Sequence, residues 1–247
     1  MGSKALFILE GEDREPRIIK SLQNTFFGQN SLTSIHCSFG NDIYELYKEI
    51  VDIDEYEEVN IVGILKNLGI EINGFNYYKM SDFSEIYLFF DHDGHDDQAN
   101  DEKLKAMLSL FNNETEAGKL YINYPMVESF RDIGDGDFRG VVQSIDKNTN
   151  YKNDVHNRTK YHMNLSRYDR SLWTDILREH LRKANFLTKG LYLVPEKDTP
   201  DQLSILNKQV SDYINARNEV AVLSSFASFI DYYFLERYNP FSSSRGT

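Results

Sequence analysis

Ile86-Tyr87-Leu88-Phe89-Phe90-Asp91-His92-Asp93-Gly94 is the stretch on which the fold turns. Five apolar residues in a row, three of them aromatic, read as a strand buried on both faces. The run stops abruptly in Asp91-His92-Asp93-Gly94-His95-Asp96-Asp97. Side chains alternate along a strand, so Asp91 and Asp93 share a side if the strand continues, and His92 points away. In an open α/β sheet ligands bind at the carboxyl ends of buried strands. Two carboxylates held together there repel, and a hard divalent cation relieves the repulsion. The plainer reading is a solvated acidic turn in which Asp97 caps the next helix.

A second segment repeats the pattern. Ala5-Leu6-Phe7-Ile8-Leu9 is apolar and ends in Glu10-Gly11-Glu12-Asp13-Arg14-Glu15-Pro16. Pro16 suits the first turn of a helix, and Ile18, Ile19 and Leu22 give that helix an apolar face. Outward from these two segments, strands are expected at about 5–10, 33–38, 86–90 and 120–122. Helices are expected at about 16–27, 43–50, 59–68 and 99–111, with another starting near Pro125. Alternating strands and helices mean a parallel sheet covered on both faces. The turn-rich Gly134-Asp135-Gly136-Asp137 closes this first unit, taken as residues 1–145. Residues 146–247 read as a polar loop to about 160, then helices near 169–187, 200–217 and 219–236, with a frayed Ser-rich end.

The chain has 247 residues, 40% hydrophobic and 27% charged, enough for a sizeable core. Its one cysteine, Cys37, excludes an internal disulfide and a cysteine-based zinc site. No apolar run nears the ~20 residues that cross a bilayer, so a cytoplasmic protein away from membranes is expected. The net charge of −12 argues against a protein that coats nucleic acid indiscriminately. Charge is uneven, however: residues 147–183 hold nine Lys and Arg against four acids. Tyr151, Tyr161, Tyr168, Trp173, His156 and His162 are interleaved with them. Cations mixed with rings suit a phosphate backbone and unstacked bases, which makes Lys147, Lys152, Arg158, Lys160, Arg167 and Arg170 candidate nucleic-acid contacts. A solvated helix face is the plainer account.

The acids of interest are Glu10, Asp91, Asp93 and Glu128, each at or just beyond a strand end. Such a set can hold one or two Mg²⁺ ions, with Mn²⁺ the alternative, for the hydrolysis of a phosphodiester. No Gly-x-Ser-x-Gly elbow accompanies a nucleophilic serine.

An apolar strand ending in Glu10-Gly11, then Asp91-His92-Asp93-Gly94 after a later core strand, resembles the TOPRIM (topoisomerase-primase) domain over roughly residues 4–135. Ile8-Leu9-Glu10-Gly11-Glu12-Asp13 and Tyr124-Pro125-Met126-Val127-Glu128-Ser129-Phe130 look like standalone TOPRIM nucleases of phage defence. Those are relatives of the overcoming-lysogenization-defect nucleases and of effectors that work with a partner ATPase. The resemblance implies an α/β, TOPRIM-like four-stranded parallel sheet flanked by helices, with a helical C-terminal extension. It implies a Mg²⁺-dependent endonuclease acting on RNA, transfer RNA included, or DNA, as an antiviral toxin controlled by an ATPase; a homodimer is compatible with it. Glu10, Asp91 and Asp93 would bind metal, Glu10 doubling as general base, and Glu128 would complete the site. Such nucleases often carry an acid four positions after the strand-one glutamate. This chain has Arg14 there, which leaves the second metal position open.

Three other readings compete. Asp91-x-Asp93-Gly94 also resembles the nucleophile motif of haloacid dehalogenase-type phosphatases, but His95 follows it and about 85 residues precede it. An EF-hand loop from Asp91 to Glu102 lacks glycine at its sixth position, where Asp96 stands. A non-catalytic TOPRIM-fold regulatory subunit would use its acidic surface and apolar C-terminal helix for binding.

Overall fold

A computed structural model describes residues 4–27, 33–51, 59–70, 77–92, 94, 100–146, 150–196 and 199–235. Asp93, His95 and Lys147, and the Ser-rich end after 235, lie outside the described residues. The amino-terminal half runs β1 (Lys4–Leu9), α1 (Arg14–Phe26), β2 (Thr33–Ser38), α2 (Ile43–Val51), α3 (Ile61–Asn67), β3 (Glu85–Asp91), α4 (Asp101–Leu110), β4 (Asn112–Asn113) and β5 (Gly118–Asn123). The rest adds β6 (Val142–Ser144), α5 (Tyr151–Arg158), α6 (Arg170–Lys189), α7 (Gln202–Lys208), α8 (Asn215–Arg217), β7 (Glu219–Ala221) and α9 (Ser225–Leu235).

The main sheet has the order β2-β1-β3-β5-β4, and β2, β1, β3 and β5 are parallel. The expected four parallel strands are therefore present, but the sheet has five strands. The addition is β4, two residues paired antiparallel to β5. It arises because the chain leaving α4 runs back along the edge before turning into β5. Gly118 begins β5 at φ +129°, and a Cβ there would stand 2.7 Å from Leu88 Cδ1. Only glycine admits both the backbone and the close approach.

Alternation along the strands divides the core in two. Leu6, Ile8, Ile86, Leu88, Phe90, Leu120 and Ile122 pack on one face with residues of α2, α3, α4 and α7. Ala5, Phe7, Leu9, Tyr87, Phe89 and Tyr121 pack on the other with α1, α6 and α9. The second face is a block of rings centred on Phe229 of α9, which lies 5.0–5.8 Å from Phe7, Tyr87, Phe89 and Tyr121, all four edge-on. Much of the chain's aromatic content is thus spent on core packing.

Three expectations about the later chain are corrected. Residues 151–158, expected in a polar loop, form α5, capped by Asn150 and anchored by buried Tyr151 and Val155. The helix expected near Pro125 is a single 3₁₀ stretch, Val127–Arg131. The helix expected from 219 begins only at Ser225, because Glu219–Ala221 pairs with β6. Asn218 in the left-handed conformation (φ 54°) ends the preceding helix, and the Val220-Ala221-Val222 run is better suited to a strand. Before that break the chain runs from α7 through a π-helical stretch, Gln209–Ile214, into α8.

Replacing Phe229 by alanine removes the ring on which four others converge. Phe229→Ala should lower unfolding stability by ~3–5 kcal/mol, read by chemical denaturation. A loss below ~1 kcal/mol would mean α9 is not packed on the sheet.

Candidate functional site

The sheet reverses its winding between β1 and β3. The chain goes from β1 outward to β2, then returns to place β3 on the other side of β1. That switch point is where a crevice opens beyond the strand ends in such sheets. Both acidic turns reach it, since β1 and β3 are parallel with Leu9 opposite Phe89.

Glu10 is held there by its own backbone: its N–H donates to Phe89 O (3.1 Å) and its carbonyl accepts from Gly40 N (2.9 Å). Its side chain crosses to the neighbouring strand, where Oε2 accepts from the Asp91 backbone N–H at 2.8 Å. Asp91 closes β3, is 6% exposed and takes the alternation of Tyr87 and Phe89. Asn123 Nδ2 donates to its Oδ1 at 3.3 Å, and the Val127 backbone N–H also hydrogen-bonds to it. Burial, then the charges of Glu10 and Glu15, push the Asp91 carboxyl well above the usual range. Asn123 is itself clamped, accepting from Ser225 N (3.1 Å) and Oγ (3.0 Å) at the start of α9.

An acid at the position of Glu15, in the first turn of α1, ordinarily complements the helix dipole. Glu15 instead is 5% exposed and belongs to this cluster. Its Oε1 accepts from Gly11 N at 3.3 Å, and a Cβ at Gly11 would lie 2.7 Å from its Oε2. The glycine after Glu10 therefore makes room for a second carboxylate. Burial raises the Glu15 pKa, and Glu128 adds to the rise. The pattern carried the signal: Glu15 shares a helix stripe with Ile18, Ile19 and Leu22.

Glu128 comes from the 3₁₀ stretch and is 1% exposed. Arg14 Nη1 donates to its Oε1 at 2.5 Å, while Oε2 has no partner among the described residues. Arg14, at the position where an acid was anticipated, thus ties α1 to the Glu128 turn. Glu10, Asp91, Glu15 and Glu128 come together at one sheet edge; Asp93 lies outside the described residues. Oxygen donors of this kind, repelling one another in a buried setting, suit a hard divalent cation. Among the described residues no three acidic, imidazole or thiol side chains stand close enough to hold an ion as they are. His92 is buried on the opposite side from Asp91, its ring 5.2 Å from that of Tyr124.

The basic stretch is a different matter. Trp173, Tyr168 and Tyr151 are buried, and Trp173 Nε1 donates to Ser21 Oγ at 3.0 Å. Those rings are core, so the interleaving that suggested base stacking reflects helix packing. Arg158 forks onto buried Asp132 (2.7 and 2.5 Å), which also accepts from Tyr151 OH. Arg170 donates to Thr25 O and covers the Phe26 ring, and Lys160 lies 3.9 Å from Asp135. Lys152 and Arg167 are exposed. Lys183 is fully buried, donating to Val141 O at 2.5 Å, and burial lowers its pKa to about 7.

No protein-family model, curated protein or solved structure matches this chain. The TOPRIM resemblance therefore rests on the two acidic sequence motifs alone. Among the described residues no helix is long and apolar enough to cross a membrane.

Asp91 has a raised pKa in the fold, so its contribution to stability is full below the unfolded value of ~3.9 and is lost as pH rises through the folded one. In divalent-free buffer the melting temperature should fall as pH rises above ~4, Glu15 adding in the same sense. Asp91→Asn should flatten that decline and raise the melting temperature at neutral pH. An unchanged pH profile would show that Asp91 is not in a repulsive, desolvated cluster.

Proposed function

We propose that this chain is a metal-dependent phosphodiesterase of TOPRIM type that cleaves nucleic acid. The observation that carries the proposal is the meeting of Glu10 with Asp91 at the β1/β3 switch point, with Glu15 and Glu128 beside them. Glu10, Asp91 and Asp93 would hold Mg²⁺, and Glu15, rather than a residue four positions after Glu10, would supply the further acid. When bound, the ion lowers the pKa of water and offsets charge on the phosphoryl oxygens. The chain's own residues perform the rest. Asn123 and the Val127 N–H orient the Asp91 carboxylate. The Asp91 backbone N–H fixes one oxygen of Glu10, and the Glu10 carboxylate would accept a proton from the attacking water. The clamp from Asn123 to α9 keeps this arrangement rigid. The same resemblance extends the proposal to an antiviral effector, cutting RNA or DNA and held in check by a partner ATPase.

Arg14 favours a second reading. By pairing with Glu128 it neutralises an acid that a second ion would need, which fits a TOPRIM-fold subunit that binds without cutting.

Purified protein incubated with labelled RNA and DNA should cleave in Mg²⁺ or Mn²⁺ and not in EDTA. Glu10→Gln, Asp91→Asn and Asp93→Ala should each slow cleavage by ~100-fold or more, with unchanged circular dichroism. Cleavage at the wild-type rate in all three variants sinks the proposal. Binding without cleavage by the wild type, whatever the metal, selects the second reading.

A further inference from the structure

Beside the carboxylates lies a small cleft with the opposite charge. Arg14 and Arg17 from α1 line it together with Arg131 from the 3₁₀ stretch, and Met163 and Leu165 supply an apolar wall. Its volume is about 80 Å³, room for several waters at the ~10–15 Å³ each requires. Asp13 also lines it and pairs with Arg17 at 2.6 Å, but both side chains are about 70% exposed, so this pair is weak.

Arg131 is the unusual member. It is 2% exposed, yet its Nε and Nη1 have no hydrogen-bond partner among the described residues. A guanidinium stays charged in proteins, and a buried charge with unmet donors is costly. Glu128 and Asp132, its neighbour in sequence, attract it through space, but neither accepts from these two donors, since Arg158 and Tyr151 occupy the Asp132 carboxylate. Arg14 is committed to Glu128 on the side of the acidic cluster. Arg131 thus lines a cleft that two further arginines and the positive end of the α1 dipole also line. Planar guanidinium forks match phosphate oxygens, and an apolar wall leaves that attraction less screened.

We propose that the Arg14–Arg17–Arg131 cleft is a phosphate subsite, seating a backbone phosphate of a polynucleotide strand next to the carboxylate cluster. The assignment rests on the phosphodiesterase reading for the identity of the strand. It also relocates the nucleic-acid contact, from the exposed cations of residues 152–170 to α1 and the turn after β5. Seated there, the strand is held by charge at one phosphate while a neighbouring linkage lies against Glu10 and Asp91. Arg14 bridges the two regions, because its partner Glu128 belongs to the acidic set.

Binding can be read without catalysis. In EDTA, inorganic phosphate is titrated by ³¹P NMR and a fluorescent oligonucleotide lacking terminal phosphates by anisotropy. Wild type should bind both, and Arg131→Gln should weaken both at least tenfold. Arg17→Gln, at an exposed position that leaves the fold intact, should weaken oligonucleotide binding severalfold. It should also reduce the slope of log K against log salt by about one. Equal affinities in wild type and Arg17→Gln, or no binding by the wild type, overturn the subsite. Phosphate binding without oligonucleotide binding overturns its assignment to a strand. Arginine-dependent binding in a protein that never cleaves leaves the subsite standing and removes the phosphodiesterase reading. Cleavage indifferent to Arg17 and Arg131 does the reverse.

Discussion

The parallel pairing of β1 with β3 is the constraint from which the rest follows. Five registered pairs, from Ala5–Glu85 to Leu9–Phe89, bring together segments some eighty residues apart. The pairing makes a switch point, because β2 lies on the far side of β1. It also places the residues after Leu9 and after Phe90 at one edge, where apolar strands give way to acids. The hydrogen bond from the Asp91 backbone to Glu10 extends the same pairing one step into the site through a side chain. The contact between Glu10 and Asp91 is therefore a continuation of the central sheet.

The edge is held against its own repulsion. Desolvation and neighbouring carboxylates push Asp91 and Glu15 toward their neutral forms, while Arg14 pairs with Glu128 and opposes part of the rise at Glu15. Such an arrangement costs stability, offset here by cores on both faces of the sheet and by the ring block around Phe229. Two polar clamps join the site to the later chain. Asn123 connects Asp91 to Ser225, and His180 connects the Phe130 carbonyl to the Ser224 amide. His180 accepts at Nδ1 and so carries its proton on Nε2; burial lowers its pKa to about 3, keeping it neutral in that role. The carboxyl-terminal helices thus bear directly on the geometry of the acidic edge.

Much of this was legible in the chain. The apolar runs 5–9 and 86–90 became central strands, and the four parallel strands and most of the helices of the first half follow from period and turn residues. The meeting of Glu10 and Asp91 also follows, once both strands are taken as parallel neighbours. Local pattern misled where a residue's partner is distant. Tyr151, Tyr168 and Trp173 looked like stacking platforms because cations surround them in sequence, yet their partners are apolar residues of other elements. Val220 to Leu223 looked helical within a long apolar stretch, but β6 and Tyr124 were waiting to pair with it. Glu15 was passed over although it sits on the buried stripe of α1, since an acid near a helix start has an ordinary explanation.

Sequence alone determined the alternation of elements and the strand ends at which carboxylates must gather. Both depend on hydrophobic period and turn chemistry, which are properties of neighbours along the chain. Tertiary structure decided which charges answer one another: Arg14 pairs with Glu128 and Arg158 with Asp132, while Arg131 feels both carboxylates only through space, its Nε and Nη1 without a hydrogen-bond partner among the described residues. An ion pair is fixed by a few ångströms between groups far apart in the chain, 114 residues for Arg14 and Glu128. No spacing along the chain encodes that distance, because packing sets it.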